Sequence, residues 1–300
     1  MENFLTILIF LFIGILLKRI PAFHAETGNV LNLFVIYISL PALILLEIPK
    51  VEFTPEILTP VLMPWTMLLI SALAVLLISR IMNWDKAATG CLMLLVPLGN
   101  TSFLGIPMVK AYFGDHAVRY AVIYDQLGSF LALAIYGTII ISVYGNQNKK
   151  PAVNDVLKKI FTFPPFLALL AATVLRSFEY PPIAENTLKM SAAALVPLVM
   201  TAVGFQLKPR LSKETTSQLS IGLGIKLIAA PMIALFLCRL AGIDGEAVRV
   251  SIFEAGMPPM VSAGALAILA KLRPSLTAAL VGAGIVLSFI TLPLLFKLLS

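Results

Sequence analysis

Charged residues are scarce in this sequence. Only 12% of its 300 residues are Asp, Glu, Lys or Arg, 59% are apolar, and the mean hydropathy is +0.98. A water-soluble domain normally has about a quarter of its residues charged, so this composition excludes a soluble globule. In lipid only helices or closed barrels satisfy the backbone, and the long apolar runs lack the alternation of a barrel. We therefore predict an all-α integral membrane protein.

Cysteine and histidine are also rare. Cys91 and Cys238 lie inside apolar runs, whereas His24 and His116 are isolated at segment ends. This excludes a disulfide framework and a metal-ligand cluster, so we expect no cofactor and no structural metal. No histidine falls in the middle of an apolar run, and no catalytic set of Ser with His or of paired aspartates is evident. The sequence predicts that the protein is not an enzyme.

The net charge of +7 does not indicate a nucleic-acid partner, because the basic residues form short clusters between apolar stretches instead of one basic face. Runs long enough to cross about 30 Å of hydrocarbon number ten. In order, these ten predicted segments are 4–19, 29–48, 58–79, 87–112, 117–143, 160–178, 184–206, 217–240, 246–271 and 275–298.

The loops between these segments differ in positive charge. With the N-terminus outside, thirteen lysines and arginines lie on the inner side and eight on the outer side, and four of the thirteen are in residues 146–159. Because cytoplasmic loops carry the excess of Lys and Arg, we predict a multi-pass protein of the cell inner (plasma) membrane with both termini outside. Membrane lipid is the implied surrounding partner.

The two halves of the chain resemble each other. A shift of 159 residues superimposes chemically distinctive residues on their counterparts: Arg80 on Arg239, Asp85 on Asp244, Gly105 on Gly264, and Ser129-Phe130 on Ser288-Phe289. A five-helix unit that repeats must reverse its direction through the membrane. We predict two inverted five-helix repeats, residues 1–145 and 160–300, joined by a cytoplasmic linker at 146–159.

The fourth and ninth segments are the irregular ones. The fourth reads LLVPLGNTSFLGIPMVK and the ninth FEAGMPPMVSAGALA, with proline and glycine at equivalent depth in each. Proline removes a helix hydrogen bond, and glycine weakens a helix by about 1 kcal/mol. Interrupted segments in matching positions of two halves indicate a transporter's binding site. Simple proline kinks are the alternative.

Four motifs carry a family resemblance. IGILLKRIPAF, NVLNLFVIYISLPALIL, GNTSFLGIPM and EAGMPPMVSAG together resemble the auxin efflux carrier family, over essentially the whole chain. The short basic linker is similar to that of the bacterial branch, which includes malonate and malate permeases. The resemblance implies a secondary active transporter of small organic anions.

The resemblance also implies the fold of bile-acid sodium symporters. Segments one, two, six and seven would form a scaffold, and segments three, four, five, eight, nine and ten would form a moving transport core. Broken segments four and nine would cross in that core, and the core would slide against the scaffold in an elevator type of alternating access. We expect a homodimer through the scaffold helices.

Two acidic residues lie inside predicted spans, where a charge costs at least about 2.5–3.5 kcal/mol. Asp125 and Glu254 each lie about eight residues from the outer end of a helix, which is roughly 12 Å of depth, and could meet beside Asn100. Paired carboxylates share a proton or hold a cation, so we predict an ion-coupling site for H⁺ or Na⁺. The alternative is that each acid satisfies a freed backbone amide. Plant members lack an acid at the position of Asp125.

The break of the fourth segment offers polar groups to a substrate. Asn100 and Thr101 provide an amide and a hydroxyl, and exposed backbone amides there could bind a carboxylate. The predicted substrate site is completed by the neighbouring break residues Gly99, Met257, Pro258 and Pro259, although packing is the more ordinary role of Met257.

Lys226, in the eighth segment, has two interpretations. It either neutralises an anion or an acid, or extends toward the nearer membrane surface. Two other functions, an uncoupled facilitator and a channel, are also compatible with the sequence, because some channels share inverted symmetry.

Overall fold

The computed structural model describes residues 2–51, 54–145, 153–207 and 216–300, with side chains from residue 5 onward. These residues are almost entirely helical, and the regular elements form thirteen helices. In chain order they are α1 (Glu2–Leu17), α2 (Thr27–Lys50), α3 (Pro55–Ile81), α4 (Lys86–Leu95), α5 (Ile106–Phe113), α6 (Asp115–Tyr144), α7 (Val153–Phe161), α8 (Pro164–Ser177), α9 (Pro182–Gln206), α10 (Thr216–Leu240), α11 (Glu246–Ala255), α12 (Val261–Leu269) and α13 (Pro274–Leu299).

Six of these helices are each long and apolar enough to cross a membrane: α2, α3, α6, α9, α10 and α13. The bent pair of α7 and α8 makes a seventh if it counts as one span, and α1 and α4 contain shorter apolar helices. The chain is therefore an all-α, polytopic membrane protein. Each of the ten predicted segments coincides with helix, and the fourth and ninth are each divided in two, as α4 with α5 and α11 with α12.

The chain divides into two compact units. Unit 1 comprises Met1–Thr54, Ser102–Val122 and Lys158–Leu207, and unit 2 comprises Pro55–Thr101, Ile123–Leu157 and Lys208–Ser300. Each unit draws on both halves of the sequence, so the units do not coincide with the predicted repeats. Unit 1 contains the predicted scaffold segments, but it also takes the second half of the fourth segment and the start of the fifth.

Within unit 1, α1 packs directly against the second half of α9. A Cβ atom added to Gly14 would lie 2.1 Å from the Thr201 carbonyl oxygen, and one added to Gly204 would lie 2.0 Å from the Leu11 carbonyl oxygen. Only glycine permits this approach of two backbones, which is the way membrane helices associate through small residues.

We expect Gly204→Ala to lower the free energy of unfolding by about 1–3 kcal/mol, the usual cost of overpacking. The new methyl group would meet the backbone of α1, which cannot rotate away as a side chain can. The measurement is the thermal unfolding midpoint of the purified protein in detergent. Gly224→Ala is the matched control, since nothing lies within 4 Å of a Cβ there. Equal midpoints for the two variants would contradict this contact.

In unit 2, α4 lies at the centre of the apolar core. Its residues from Ala88 to Leu95 are buried, and it packs against α3, the end of α6, α12 and α13. Asp85 caps its first turn by accepting a hydrogen bond of 2.9 Å from the Ala88 N–H and also pairs with Arg273. The hydrogen bond from Arg273 holds the pKa of the Asp85 carboxyl below its usual range.

Helices α3 and α10 end in the same way. The Trp84 N–H donates to the Ser79 carbonyl at 2.9 Å, and the Ile243 N–H donates to the Cys238 carbonyl at 3.0 Å. The residues before them, Asn83 and Gly242, have positive φ of 51° and 65°. Each of these pairs is separated by the 159-residue shift found in the sequence. Such caps satisfy the last carbonyls of a helix.

The predicted linker contains a helix that sequence reasoning did not anticipate. Residues 146–152 lie outside the described residues, but α7 occupies the remainder and continues to Phe161. The sixth segment accordingly begins later than predicted, at Pro164, after a bend of 63° between α7 and α8.

Candidate functional site

The site is built where α4 and α11 end inside unit 2. Two turn hydrogen bonds close α11, from the Gly256 N–H to the Phe253 carbonyl at 3.1 Å and from the Met257 N–H to the Glu254 carbonyl at 3.1 Å. Near the end of α4 the Met93 carbonyl accepts a hydrogen bond of 2.7 Å from the Tyr136 hydroxyl. Both helices therefore stop at a defined point in the core.

The extended chain after each helix pairs with the other across the break. The Asn100 N–H donates to the Pro258 carbonyl at 2.8 Å, and the Met260 N–H donates to the Leu98 carbonyl at 3.0 Å. The two bonds are reciprocal and antiparallel, with residues 99 and 259 between them. We call residues 98–100 with 258–260 the crossing. Simple proline kinks would keep the chain helical, so this alternative is wrong for both segments.

Asp125 is held beside the crossing by a widened, π-helical stretch of α6, Tyr124–Phe130. Its two carboxylate oxygens accept hydrogen bonds from the Thr101 hydroxyl at 2.5 Å and from the Gln126 amide at 2.7 Å. The Trp65 ring N–H bonds the Leu127 carbonyl at 3.0 Å and fixes the stretch against α3. Such wide turns frequently occur at functional sites.

Glu254 and Asn100 carry buried polar atoms without partners in the described part of the chain, as does the Oε1 atom of Gln126. Glu254 and Asn100 are buried, at 0% and 2% exposure. Neither Glu254 carboxylate oxygen, nor the Asn100 Nδ2 atom, has a hydrogen-bond partner among the described residues. The idea that Glu254 satisfies a freed backbone amide is therefore wrong. A buried polar group without a hydrogen-bond partner lowers the stability of the fold by about 1–3 kcal/mol. These atoms are therefore suited to bind a ligand or a proton.

Lys226 reaches the same place from a π-helical stretch of α10, Ile225–Ala229. Its side chain is buried, and its ammonium donates to the Ala255 carbonyl at 3.2 Å, at the negative end of α11. A Cβ at Gly99 would lie 3.0 Å from Lys226 Nζ, so the ammonium contacts the crossing. The alternative in which Lys226 extends to the membrane surface is wrong.

Glu254 interacts electrostatically with both Asp125 and Lys226, whose charged forms have opposite signs. A cavity of about 10 Å³ opens beside Lys226 and Glu254, and Gly99 and Thr101 also form its walls. That volume accommodates about one water molecule. It is far too small for a carboxylate-bearing organic molecule.

Comparison with known proteins identifies the family of the chain. The family model described as membrane transport protein matches residues 1–296. The chain belongs to the membrane transport protein family. This is the auxin efflux carrier family that the four motifs resemble, and membership implies transport and not catalysis.

Two related proteins align with most of this chain. An uncharacterized transporter of Methanothermobacter thermautotrophicus is 26% identical over 297 residues, covering 98% of this chain and 96% of the relative. An uncharacterized transporter of Methanocaldococcus jannaschii is 30% identical over 267 residues, covering 86% and 85%. Both relatives are archaeal, so placement in the bacterial branch stays a prediction.

The structure brings some of the predicted residues near one another, whereas direct contact between Asp125 and Glu254 stays a prediction. Asn100, Thr101 and Asp125 are adjacent, and Glu254 shares the cavity with Gly99. Two of the predicted substrate-binding residues make contacts within the protein instead. The Thr101 hydroxyl hydrogen is committed to Asp125, and Met257 is fully buried against Gly99, which matches its packing interpretation.

Sequence reasoning missed three contributors to the site. Gln126 binds Asp125, Ser129 lines the cavity, and Gly284 of α13 passes so close that a Cβ there would lie 2.7 Å from the Pro259 ring. Gln126 and Ser129 were recognisable as polar residues next to Asp125 in an apolar run. Gly284 had only a weak signal, the small residues around it. Among the described residues no group of three His, Cys, Asp or Glu could hold a metal ion.

Proposed function

We propose that this protein is a secondary active transporter of small organic anions, carboxylates of the auxin-like or malonate- and malate-like kind, that works by alternating access. The observation that carries the proposal is the crossing itself, where two interrupted helices meet and the buried Asn100 Nδ2 atom has no partner among the described residues. Membrane carriers bind substrates at interrupted helices of this kind.

The proposed carboxylate site uses amide donors. Asn100 Nδ2 is one donor, and the N–H groups of the first turn of α12 are others, because no side chain caps that turn. The N-terminus of a helix carries a partial positive charge that favours anions. Gly99, Pro258 and Pro259 complete the proposed site with backbone, and Thr101 can contribute only a lone pair.

For the coupling ion we propose the proton. With all three groups ionised, Asp125, Glu254 and Lys226 leave one net negative charge. A sodium ion would need several oxygen ligands, but Asp125 already accepts two hydrogen bonds and the Lys226 ammonium borders the same cavity and repels cations. A proton needs only one oxygen, and Glu254 has two without partners.

An elevator mechanism with ten spans in two inverted repeats is part of the proposal. The equivalent caps of α3 and α10 and the reciprocal bonds of the crossing support the repeat. The division into two compact units supports a scaffold and a transport core, with unit 2 containing the crossing. We also propose that the protein forms a dimer through its scaffold helices and that both of its termini lie on the outer side of the membrane.

Uptake into proteoliposomes tests the function. Labelled mono- and dicarboxylates are offered with an inward proton gradient or an inward Na⁺ gradient imposed separately. We expect saturable uptake of at least one carboxylate, counterflow by unlabelled substrate, and stimulation by the proton gradient alone.

The possible outcomes separate the alternatives. Flux that does not saturate indicates a channel, and saturable uptake that ignores both gradients indicates an uncoupled facilitator. Stimulation by Na⁺ alone would overturn the proton proposal while leaving the carrier proposal intact.

A further inference from the structure

The short helix α7 separates apolar from polar residues completely. At about 100° per residue its apolar residues cover one arc of about 140°, and its polar residues cover the opposite side. The apolar arc consists of Val153, Val156, Leu157, Ile160 and Phe161, and the polar side of Asn154, Asp155, Lys158 and Lys159.

Much of this apolar arc is exposed. Val153 is 73% exposed, Leu157 45% and Phe161 56%, whereas Ile160 is buried. Phe161 also contacts the ring of Phe166 in α8 edge to face, with centroids 6.1 Å apart. A helix with three exposed large apolar side chains on one side is stable only against another apolar phase.

The angle between α7 and α8 indicates how α7 meets the apolar phase, which we take to be the membrane. α7 makes an angle of 63° with α8, and residues 162–163 and the prolines that begin α8 separate the two helices. Because of this bend, α7 and α8 cannot both lie along the bilayer normal. Crossing the hydrocarbon would place Asp155, Lys158 and Lys159 in it, which is unfavourable.

The positive charge identifies the lipid. Lys158 and Lys159 lie on the polar side, both exposed, next to the last apolar residues of the helix. Lysines in this position extend to the phosphates of anionic lipids while the apolar side enters the acyl region.

We propose that α7 is an interfacial anchor. It lies in the bilayer surface with Val153, Leu157 and Phe161 among the acyl chains and Lys158 and Lys159 among anionic headgroups. It thereby holds the start of α8 at a fixed depth. This binding surface does not depend on the substrate or on the coupling ion, so it can be tested independently of the proposed transport function.

The test measures the depth of spin labels in the full-length protein. Cys91 and Cys238 are replaced by alanine, and Leu157→Cys or Asp155→Cys is labelled with a nitroxide in vesicles of equal parts phosphatidylcholine and phosphatidylglycerol. The two positions lie on opposite sides of α7. Collisions with oxygen report hydrocarbon, and collisions with a water-soluble nickel complex report water.

We expect a severalfold higher ratio of oxygen to nickel collisions at position 157 than at 155. Nickel access at both positions would show α7 in water, and shielding of position 157 from both reagents would show a protein partner instead. Oxygen preference at both positions would show a helix inside the hydrocarbon. Each of these three results overturns the proposal.

A second comparison tests the lysines. We expect the label at 157 to lie deeper with phosphatidylglycerol than in phosphatidylcholine alone, and this difference to vanish when Lys158→Gln and Lys159→Gln are combined. Lys189→Gln, on α9, is the control and should keep the difference. Equal depth of the parent label in both vesicles would refute the anionic-lipid part.

Discussion

Uptake by the Glu254→Gln variant should no longer respond to a proton gradient, while counterflow of labelled substrate continues. Glutamine keeps the size of the side chain but cannot take up or release a proton. Because both Glu254 oxygens lack partners among the described residues, the substitution breaks no described hydrogen bond. The measurement is concentrative uptake in proteoliposomes, whose accumulation ratio should fall to unity.

Two further variants make this result decisive. Glu47→Gln changes a carboxylate of unit 1 that pairs with nearby Lys50 at 2.8 Å, so coupling should persist. Lys226→Gln combined with Glu254→Gln removes both charges and guards against misfolding caused by an uncompensated ammonium. Intact gradient dependence in folded Glu254→Gln protein would refute its role in coupling.

Asn100→Ala should reduce transport without reducing stability. Hydrogen bonds to charged groups contribute about 1.5–3 kcal/mol, so loss of the Nδ2 donor to a carboxylate corresponds to roughly a ten- to hundredfold loss of affinity. In the empty protein that donor has no described partner, so its removal should leave the unfolding midpoint unchanged or raise it. Initial uptake rates and thermal unfolding are measured on the same preparation.

Asn32→Ala provides the matched control. Asn32 lies in α2, and its buried Oδ1 atom also has no partner in the part of the chain that the structure describes. The control should behave like Asn100→Ala in thermal unfolding but should transport normally. A large fall in the unfolding midpoint of Asn100→Ala would instead assign that side chain a structural role.

The interruptions of the helices were predictable because their causes are local. Proline and glycine in GNTSFLGIPM and EAGMPPMVSAG prevent regular hydrogen bonding whatever surrounds them. Asp125 and Glu254 stood out for a similar reason, since a charge in an apolar run is costly wherever it lies. Depth along each helix predicted only that Asp125 and Glu254 could meet beside Asn100, and the contact between Asp125 and the hydroxyl of the next residue, Thr101, became visible only in the structure.

The remaining features depend on contacts between distant residues. Nine residues separate Lys226 from the start of its predicted segment, which suits either a surface or a buried position, and only the fold directs it to Ala255. The wide turns at Tyr124–Phe130 and Ile225–Ala229 have no evident sequence signal. The amphipathic pattern of α7 was present in the sequence but was hidden by its position in a short basic linker.

The crossing is fastened by main-chain atoms, which leads to a consequence for how such carriers diversify. Its two bonds require only that residues 100 and 260 have an N–H, and proline alone fails this requirement. Side chains at the break can therefore change while the joint persists. Substitutions at a few break positions can alter what the site binds while the two main-chain bonds of the crossing are retained.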